Sequence, residues 1–441
     1  MNIFATILTI ITLVSCLMMF FVRRELKVGL LLMGTMTMTL VNVPYIPLHK
    51  ANMVLPLFFI LSEWQNLGNH LNRIWQTRSL RIAFAIIIFS TIVCALTTKY
   101  IKPWPLFRGE LIFKYFALAY AFMSVKDERT LKSILKISIY CLIALTFFGI
   151  LNYIDRSAEL VNALTKGKTN WVYDVALGDV YSGRNRFRVQ SMFKSPFDYG
   201  YICTAMLLLH IHAWYQHMEN KKAFWTAAIC CTFGIITCAC RTVWIAAFFS
   251  VVCYYVCCFR LSRNVIIGIV VLSLSFLSYS FIPEVEEKVN TITDVFAEES
   301  ETGGSSIQMR TIQFASTLSY VEGKELFGNG KGFFTTEIWN PDAEDTSESG
   351  LQGLESVIFS KLLERGYFGL VLWAAFYLFL FLYFRRQRHT NMMWSGLGVS
   401  ILSLYLMFAI GTGELNSVYP TMLLFGVIIK SIESYKKRMR I

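Results

Sequence analysis

The sequence predicts an all-α integral membrane protein with about 13 (12–14) transmembrane helices and two long extracytoplasmic loops. Two observations about composition lead to this prediction. Of the 441 residues, 55% are hydrophobic and only 16% are charged, whereas a soluble domain has roughly 25% charged residues. The apolar residues also gather into runs close to the ~20 residues that a helix needs to cross a bilayer. A soluble globular enzyme is therefore excluded.

Thirteen apolar runs are predicted to span the membrane, and the first lacks the leading positive charge and cleavage site of a removable signal peptide. The runs are Ile3–Val22, Val28–Pro47, Met53–Leu67, Leu80–Thr98, Leu111–Val125, Ile134–Ile154, Pro196–Tyr215, Ala223–Cys240, Thr242–Phe259, Val265–Ile282, Val357–Phe384, Met392–Ile410 and Val418–Ile432. The resulting regions are amino-terminal helices (1–154), a first outer loop (155–195), central helices (196–282), a large outer loop (283–354) and carboxyl-terminal helices (355–441).

Basic clusters predict the orientation of the chain, because positive loops stay on the cytoplasmic side. Every alternate loop carries such a cluster, which accounts for the net charge of +12 without nucleic acid as a partner. The clusters lie at Arg23–Lys27, Arg73–Arg81, Lys126–Lys132, Lys221–Lys222, Arg260–Arg263, Arg385–Arg388 and Lys436–Arg440. The amino terminus is predicted outside, and both long loops share that outer face.

The first outer loop holds positive charges on the side where the topology rule disfavours them: Arg184, Arg186, Arg188 and Lys194. Alternating arginines can make bidentate contacts to phosphate or carboxylate groups. These residues are candidates for substrate binding. A solvated loop, or contacts with lipid headgroups, is the alternative interpretation.

Arg241 stands between two predicted spans with scarcely any connecting loop. An arginine at the bilayer centre costs roughly 2.5 kcal/mol or more, so it should face a cavity or a partner. The alternative is an interfacial arginine whose guanidinium extends to the membrane surface.

The large outer loop and the span after it contain the third group of candidates. Arg310 opens an amphipathic segment, Ile307 to Tyr320, and alternating glycines follow it. Such glycines allow a close backbone approach to a ligand, although they are more often a turn and lack the spacing of a dinucleotide fingerprint. Glu355 precedes an apolar span that contains ionisable residues, which are candidates for a functional site by default. The remaining candidates are Gly328, Gly330, Gly332, Lys361, Glu364 and Arg365.

The 11 cysteines lie mostly within apolar runs, as in Cys230-Cys231 and Cys257-Cys258, and predict packing rather than chemistry. They lack the spacing of a zinc site. No acidic cluster suited to a divalent ion is visible either, so we expect no metal and no cofactor.

From residue 188 to residue 370, the motifs resemble those of the O-antigen ligase and O-antigen polymerase superfamily of bacterial polysaccharide enzymes. Arg188-Val-Gln-Ser-Met-Phe193-Lys-Ser-Pro196 resembles the family's arginine, glycine, phenylalanine and proline-asparagine segment, with Ser191 and Phe197 in place of glycine and asparagine. Cys240-Arg241-Thr242 resembles its serine-arginine-serine/threonine element, and Arg310 with the glycines resembles its periplasmic segment. Glu355-Ser356 aligns with the stretch that begins with histidine in ligases.

The resemblance implies a metal-independent glycosyltransferase in the bacterial cytoplasmic membrane, with its active site facing the periplasm. Its donor would be a glycan linked to polyprenyl (undecaprenyl) pyrophosphate. Arg241 and Arg310 would bind the pyrophosphate, and Glu355 would orient or deprotonate the attacking sugar hydroxyl. A chain-length regulator and a flippase are the implied protein partners, beside the membrane lipids.

Glu355 in place of the ligase histidine favours a polymerase of O-antigen, capsule or exopolysaccharide. A ligase that transfers glycan to lipid A core or to protein is the alternative within the family. A flippase for lipid-linked oligosaccharide, or a structural scaffold, is the alternative outside it. A flippase should place its cations along a central cavity, whereas here they gather in loops on one face.

Overall fold

The computed structural model describes residues 3–37, 51–125, 128–154, 188–193, 195–259, 306–338, 350–351, 354–414 and 416–439. Within these ranges the chain is 84% helical and contains no strand, so the prediction of an all-α fold is confirmed. The predicted run Val265–Ile282 and most of both long outer loops lie outside the described residues.

The amino-terminal third forms eight α-helices. They are α1 (Ile3–Phe21), α2 (Arg24–Thr37), α3 (Ala51–Ser62), α4 (Leu67–Gln76), α5 (Arg78–Thr97), α6 (Pro103–Phe107), α7 (Ala117–Ser124) and α8 (Glu128–Ile154). A 3₁₀ turn, Trp64–Asn66, precedes α4, and a π-helical stretch, Arg108–Tyr115, joins α6 to α7.

The remainder contributes seven described α-helices. They are α9 (Pro196–Tyr215), α10 (Lys221–Thr237), α11 (Arg241–Cys258), α12 (Ser306–Val321), α13 (Val357–Gln387), α14 (Met392–Thr412) and α15 (Val418–Met439). Their first turns follow local rules: Ser195 caps α9 by accepting from the Phe197 amide, and Pro196 occupies the first helical position, where its missing N–H costs nothing.

Five described helices are long and apolar enough to cross a membrane: α5, α8 from Thr130, α11, α13 and α14. A multi-pass membrane protein is consistent with this count, and the exact number of spans stays a prediction. The helices pack around a common core in which aromatic side chains are fully buried. The rings of Tyr201 on α9 and Phe408 on α14 lie 4.7 Å apart, centroid to centroid.

Two predicted spans differ from the structure in their detail. The run Met53–Leu67 was expected to be one helix, but α3 ends at Ser62, and Glu63 begins a turn into the separate helix α4. The run Leu111–Val125 begins instead within the π-helical stretch Arg108–Tyr115. At both places an ionisable residue inside the apolar run is paired with a charged partner: Glu63 with Lys27 and Lys114 with Glu110.

Candidate active site

Helix α13 is broken in its amino-terminal third at Gly366, whose backbone has φ +63° and ψ −169°. The break removes two helical hydrogen bonds, from the Tyr367 amide to Leu363 and from the Phe368 amide to Glu364. Unpaired backbone groups are costly where water is excluded, so these four groups need other partners.

Residues 322–333, called here the glycine-rich loop, supply those partners. The amides of Asn329 and Gly330 donate to the carbonyls of Leu363 and Glu364 at 2.9 and 3.0 Å. In return, the Tyr367 and Phe368 amides donate to the carbonyls of Glu325 and Leu326 at 2.8 and 3.0 Å. All four groups freed by the break are therefore paired with the loop. We call this arrangement the clasp.

The clasp explains why glycines occupy positions 328 and 366. A Cβ on Gly328 would lie 2.6 Å from the Gly366 nitrogen, and both residues have positive φ. Gly330 and Gly332 approach residues 97–101 instead, where Thr98 donates to the Lys331 carbonyl at 2.6 Å. The close backbone approach predicted from the glycines thus occurs within the protein, while their contact with substrate remains a prediction.

Buried ion pairs lie beneath the clasp. Arg365 Nη2 is 2.8 Å from Glu110 Oε2, and Lys361 Nζ is 2.9 Å from Glu414 Oε2. Lys114 lies between the two carboxylates, 3.0 Å from Glu110 and 3.9 Å from Glu414. These pairs tie α13 to the π-helical stretch and to the turn between α14 and α15.

Glu364 completes this group by joining it to the glycine-rich loop. Its carboxylate is 2.6 Å from Lys331 Nζ and accepts the Gly332 amide at 3.0 Å. We call the seven residues the outer charge cluster. Its cations outnumber its carboxylates by four to three, and its members are Lys114, Lys331, Lys361, Arg365, Glu110, Glu364 and Glu414.

Glu414 is the most highly connected member of the cluster. Besides its lysines, it accepts from Trp373 Nε1 and Tyr405 Oη, each at 3.1 Å. Burial would raise the pKa of this carboxyl, but Lys361 and then Lys114 lower it from 4.5 to about 2. Glu414 is therefore a fixed negative charge that holds the turn after α14 against α13.

Two of the three predicted catalytic residues, and the neighbour of the third, lie around the carboxyl-terminal end of α14. Arg310 Nη2 donates to the Gly411 carbonyl at 2.8 Å, and the same nitrogen is 3.6 Å from Glu355 Oε2. Gly411 also packs against Thr242, the neighbour of Arg241 at the start of α11. Residues far apart in sequence are thus brought to one place.

This group is partly accessible. The side chains of Arg310 and Glu355 are 34% and 40% exposed, and Arg241 is half-buried. Arg310 Nε is buried and has no hydrogen-bond partner among the described residues. A charged ligand can therefore reach the exposed part of Arg310 and Glu355, but not this nitrogen as it stands.

The other predicted cations are less informative. Arg184, Arg186 and Lys194 lie outside the described residues. The Arg188 guanidinium lies 5.8 Å from the centroid of the Phe197 ring, at the start of α9. Its predicted role in substrate binding stays a prediction.

Sequence reasoning missed Glu110, Glu414 and Asp198. The Asp198 carboxylate accepts from Asn416 Nδ2 at 2.8 Å and so fastens the outer end of α9 to the turn that carries Glu414. Lys114 was not among the candidate site residues either. Ionisable residues within membrane spans are costly and are usually functional or paired, and this rule would have identified Glu110 and Lys114 as well.

Residues 226–374 match the family model described as O-antigen ligase. The matched stretch contains Arg241, Arg310, the clasp and Glu355, and it ends within α13. The resemblance to the O-antigen ligase and polymerase superfamily is thereby confirmed over this stretch. No curated protein matches the chain.

Proposed function

We propose, on the premise that residues 226–374 carry the O-antigen ligase domain, that the protein polymerises glycan repeat units linked to polyprenyl pyrophosphate. The supporting observation is that Arg310 contacts both Glu355 and the Gly411 carbonyl, while Thr242, next to Arg241, packs against Gly411. Ligase-type glycosyl transfer in general follows from the family match. The polymerase reaction, the lipid-pyrophosphate donor and the periplasmic face belong to the proposal.

The proposed reaction is a displacement at the anomeric carbon of the donor glycan. The hydroxyl oxygen of the acceptor sugar forms the new glycosidic bond as the bond from carbon to pyrophosphate oxygen breaks. The departing electron pair stays on the polyprenyl pyrophosphate, and the hydroxyl proton passes to the Glu355 carboxylate. The products are a lengthened glycan on the acceptor's carrier and a free carrier pyrophosphate.

Arg310 and Arg241 have the chemistry for the leaving group. Guanidinium groups make short, charge-assisted hydrogen bonds to phosphate oxygens, and these strengthen as charge develops on the leaving oxygen. The contact between Arg310 and Glu355 sets the base beside the phosphate-binding group. Balancing the charge in this way needs no divalent ion, so activity should persist in a chelator.

Lys361, Glu364 and Arg365 were predicted to bind substrate, and in the structure each is paired with another member of the outer charge cluster. We infer that they shape the floor of the site and contribute its positive potential. The cluster's excess positive charge favours an anionic substrate above it.

A polymerase is favoured over a ligase by the carboxylate at position 355, where the resembling ligases have histidine. Transport is disfavoured because the described cations around the proposed site lie at the outer ends of the helices. In transporters, charged sites lie near the bilayer midplane.

The deciding experiment compares the length of lipid-linked glycan in a deletion strain with that in the complemented strain. Single repeat units in the deletion strain would support a polymerase. Full-length glycan left on the carrier would indicate a ligase, and unchanged glycan would exclude both. Complementation with Glu355→Gln is the matched test of the site, and we expect it to behave like the deletion.

A further inference from the structure

Asp198 is a buried carboxylate that the outer charge cluster does not include. It is the third residue of α9 and is 2% exposed. Its two oxygens accept from a single residue: Oδ1 from the Asn416 amide at 3.3 Å and Oδ2 from Asn416 Nδ2 at 2.8 Å. An acidic residue in the first turn of a helix is favoured by the helix dipole, but that effect does not require this pairing. Two bonds to one partner fix its orientation as well as its distance.

Asn416 belongs to the α14–α15 turn, the name used here for the described residues between those helices (413, 414, 416 and 417). The turn is tied together by its own hydrogen bonds. The Ser417 amide and Oγ both donate to the Glu414 carbonyl, at 3.0 and 2.5 Å. The Gly413 amide donates to the Ala409 carbonyl at 2.9 Å. The α14–α15 turn is therefore continuous with the last turn of α14.

The last turn of α14 holds Arg310. The final carbonyls of a helix have no helical partner, and cations are favoured near them. Arg310 Nη2 donates to one of these carbonyls, that of Gly411, at 2.8 Å. The place of the guanidinium beside Glu355 therefore depends on where α14 ends.

Helix α9 also contacts the support of Arg241. Gly200 lies two residues after Asp198, and an added Cβ there would be only 2.7 Å from Val243 Cγ1. Val243 is in the first turn of α11, two residues beyond Arg241. The amino-terminal end of α9 thus meets the supports of both arginines, through Gly200 for Arg241 and through Asp198 for Arg310.

We propose that Asp198 is a positioning residue for the glycosyl transfer, which sets the spacing between Arg241 and Arg310. The inference rests on the proposed function, in which both guanidinium groups bind one pyrophosphate. Asp198 acts through Asn416 and the end of α14, not on the substrate. Such positioning matters because a misplacement of about 1 Å can cost roughly 100-fold in rate.

The test measures glycan synthesis by the purified full-length protein with lipid-linked repeat units extracted from the deletion strain. D198N places an amide donor opposite a donor of Asn416, so kcat per folded protein should fall by up to about 100-fold. KM should change little, because Arg310 is proposed to act on charge that develops in the transition state. The double variant D198N/N416D exchanges donor and acceptor and should recover most of the activity.

A second background separates positioning from general stability. D198N in an Arg310→Ala protein should cause no further loss of kcat, because the group that Asp198 positions is already absent. The matched control is E219Q, which loosens the other end of α9, where Glu219 lies 2.9 Å from His210 Nδ1. It should leave kcat per folded protein unchanged.

Three results would overturn the inference: a wild-type kcat in D198N, no recovery in D198N/N416D, or an equal loss with and without Arg310. If D198N does not fold, N416A decides, because its side chain is exposed; N416A should lower kcat, and a wild-type value would overturn the inference. Full activity in Arg310→Ala and Glu355→Gln would instead reject the proposed function, so the two failures are distinguishable.

Discussion

Charged residues are buried at both ends of the helix bundle, and the two ends use them differently. At the inner end, Glu63 is contacted by Arg24, Lys27 and His70. Nearby in the same half, His210 lies between Ser138 at 3.0 Å and Glu219 at 2.9 Å. Such groups are enclosed and paired, and they connect helices.

The end that carries the clasp holds enclosed ion pairs of the same kind, but it also holds a partly exposed pair, Arg310 and Glu355. Charged residues therefore have two environments in one chain. An enclosed pair fastens helices, whereas a partly exposed pair can be reached by a substrate.

The sharpest test of this contrast compares Glu414→Gln with Glu63→Gln. Removing one partner of a buried ion pair costs about 3–5 kcal/mol, so both variants should be destabilised by that order. Only Glu414→Gln should also reduce the activity of the folded fraction, because the turn that positions Gly411 and Arg310 is loosened. Thermal unfolding and glycan synthesis per folded protein separate the two effects. An equal loss of activity in Glu63→Gln would remove the distinction.

Arg310→Ala should reduce glycan synthesis about 100- to 1000-fold, the usual effect of losing one group that stabilises developing charge. The melting temperature should change little, since the side chain is partly exposed. Arg241→Ala should behave alike, and Arg310→Lys should retain partial activity because it keeps the charge but not the planar geometry. Normal glycan chains from Arg310→Ala would rule out the proposed site.

Gly328→Ala tests the clasp against a control with the same backbone conformation. Gly323 has φ +75° and nothing within 4 Å of an added Cβ, so Gly323→Ala should cost only about 1 kcal/mol. Gly328→Ala meets the backbone of Gly366 and should cost about 3 kcal/mol or more. Thermal unfolding measures the loss of stability in both variants. Equal losses would show that the close backbone approach at Gly328 does not contribute to stability.

The smallest expected effect concerns pH. The pKa of Glu414 is lowered from 4.5 to about 2, so its stabilising contribution is complete above pH 4.5 and is lost as pH falls toward 2. The difference in unfolding free energy between wild type and Glu414→Gln should stay constant between pH 5.5 and 8. A decrease of that difference within this window would show that the carboxylate is not held ionised by its lysines.

The helices were largely predictable because a helix that spans a membrane requires an apolar run of matching length. The predicted run Pro196–Tyr215 has the same bounds as α9. Helix α4 was not predicted, because its 10 residues mix polar with apolar side chains and leave no such run. The break at Gly366 was missed for a related reason: apolar residues continue on both sides of it, and a single glycine is common within helices.

The candidate residues came from motifs, and their role in a site stays a prediction. Their pairings were not predictable, because nothing local reveals that Arg310 contacts both Glu355 and the Gly411 carbonyl. The ion pair between Arg365 and Glu110 joins positions 255 residues apart. The periodicity of apolar residues along the chain does not indicate such a contact. Pairing of this kind depends on the packing of whole helices, which a single sequence does not encode locally.

The clasp also has a consequence for how such a protein can evolve. The glycine-rich loop and the start of α13 are held together by four hydrogen bonds between backbone groups, and any residue except proline can supply both kinds of group. The residues whose backbone atoms pair are therefore free to change their side chains. Only Gly328 and Gly366 are fixed by the clasp, because a Cβ at either position would meet the backbone of the other segment.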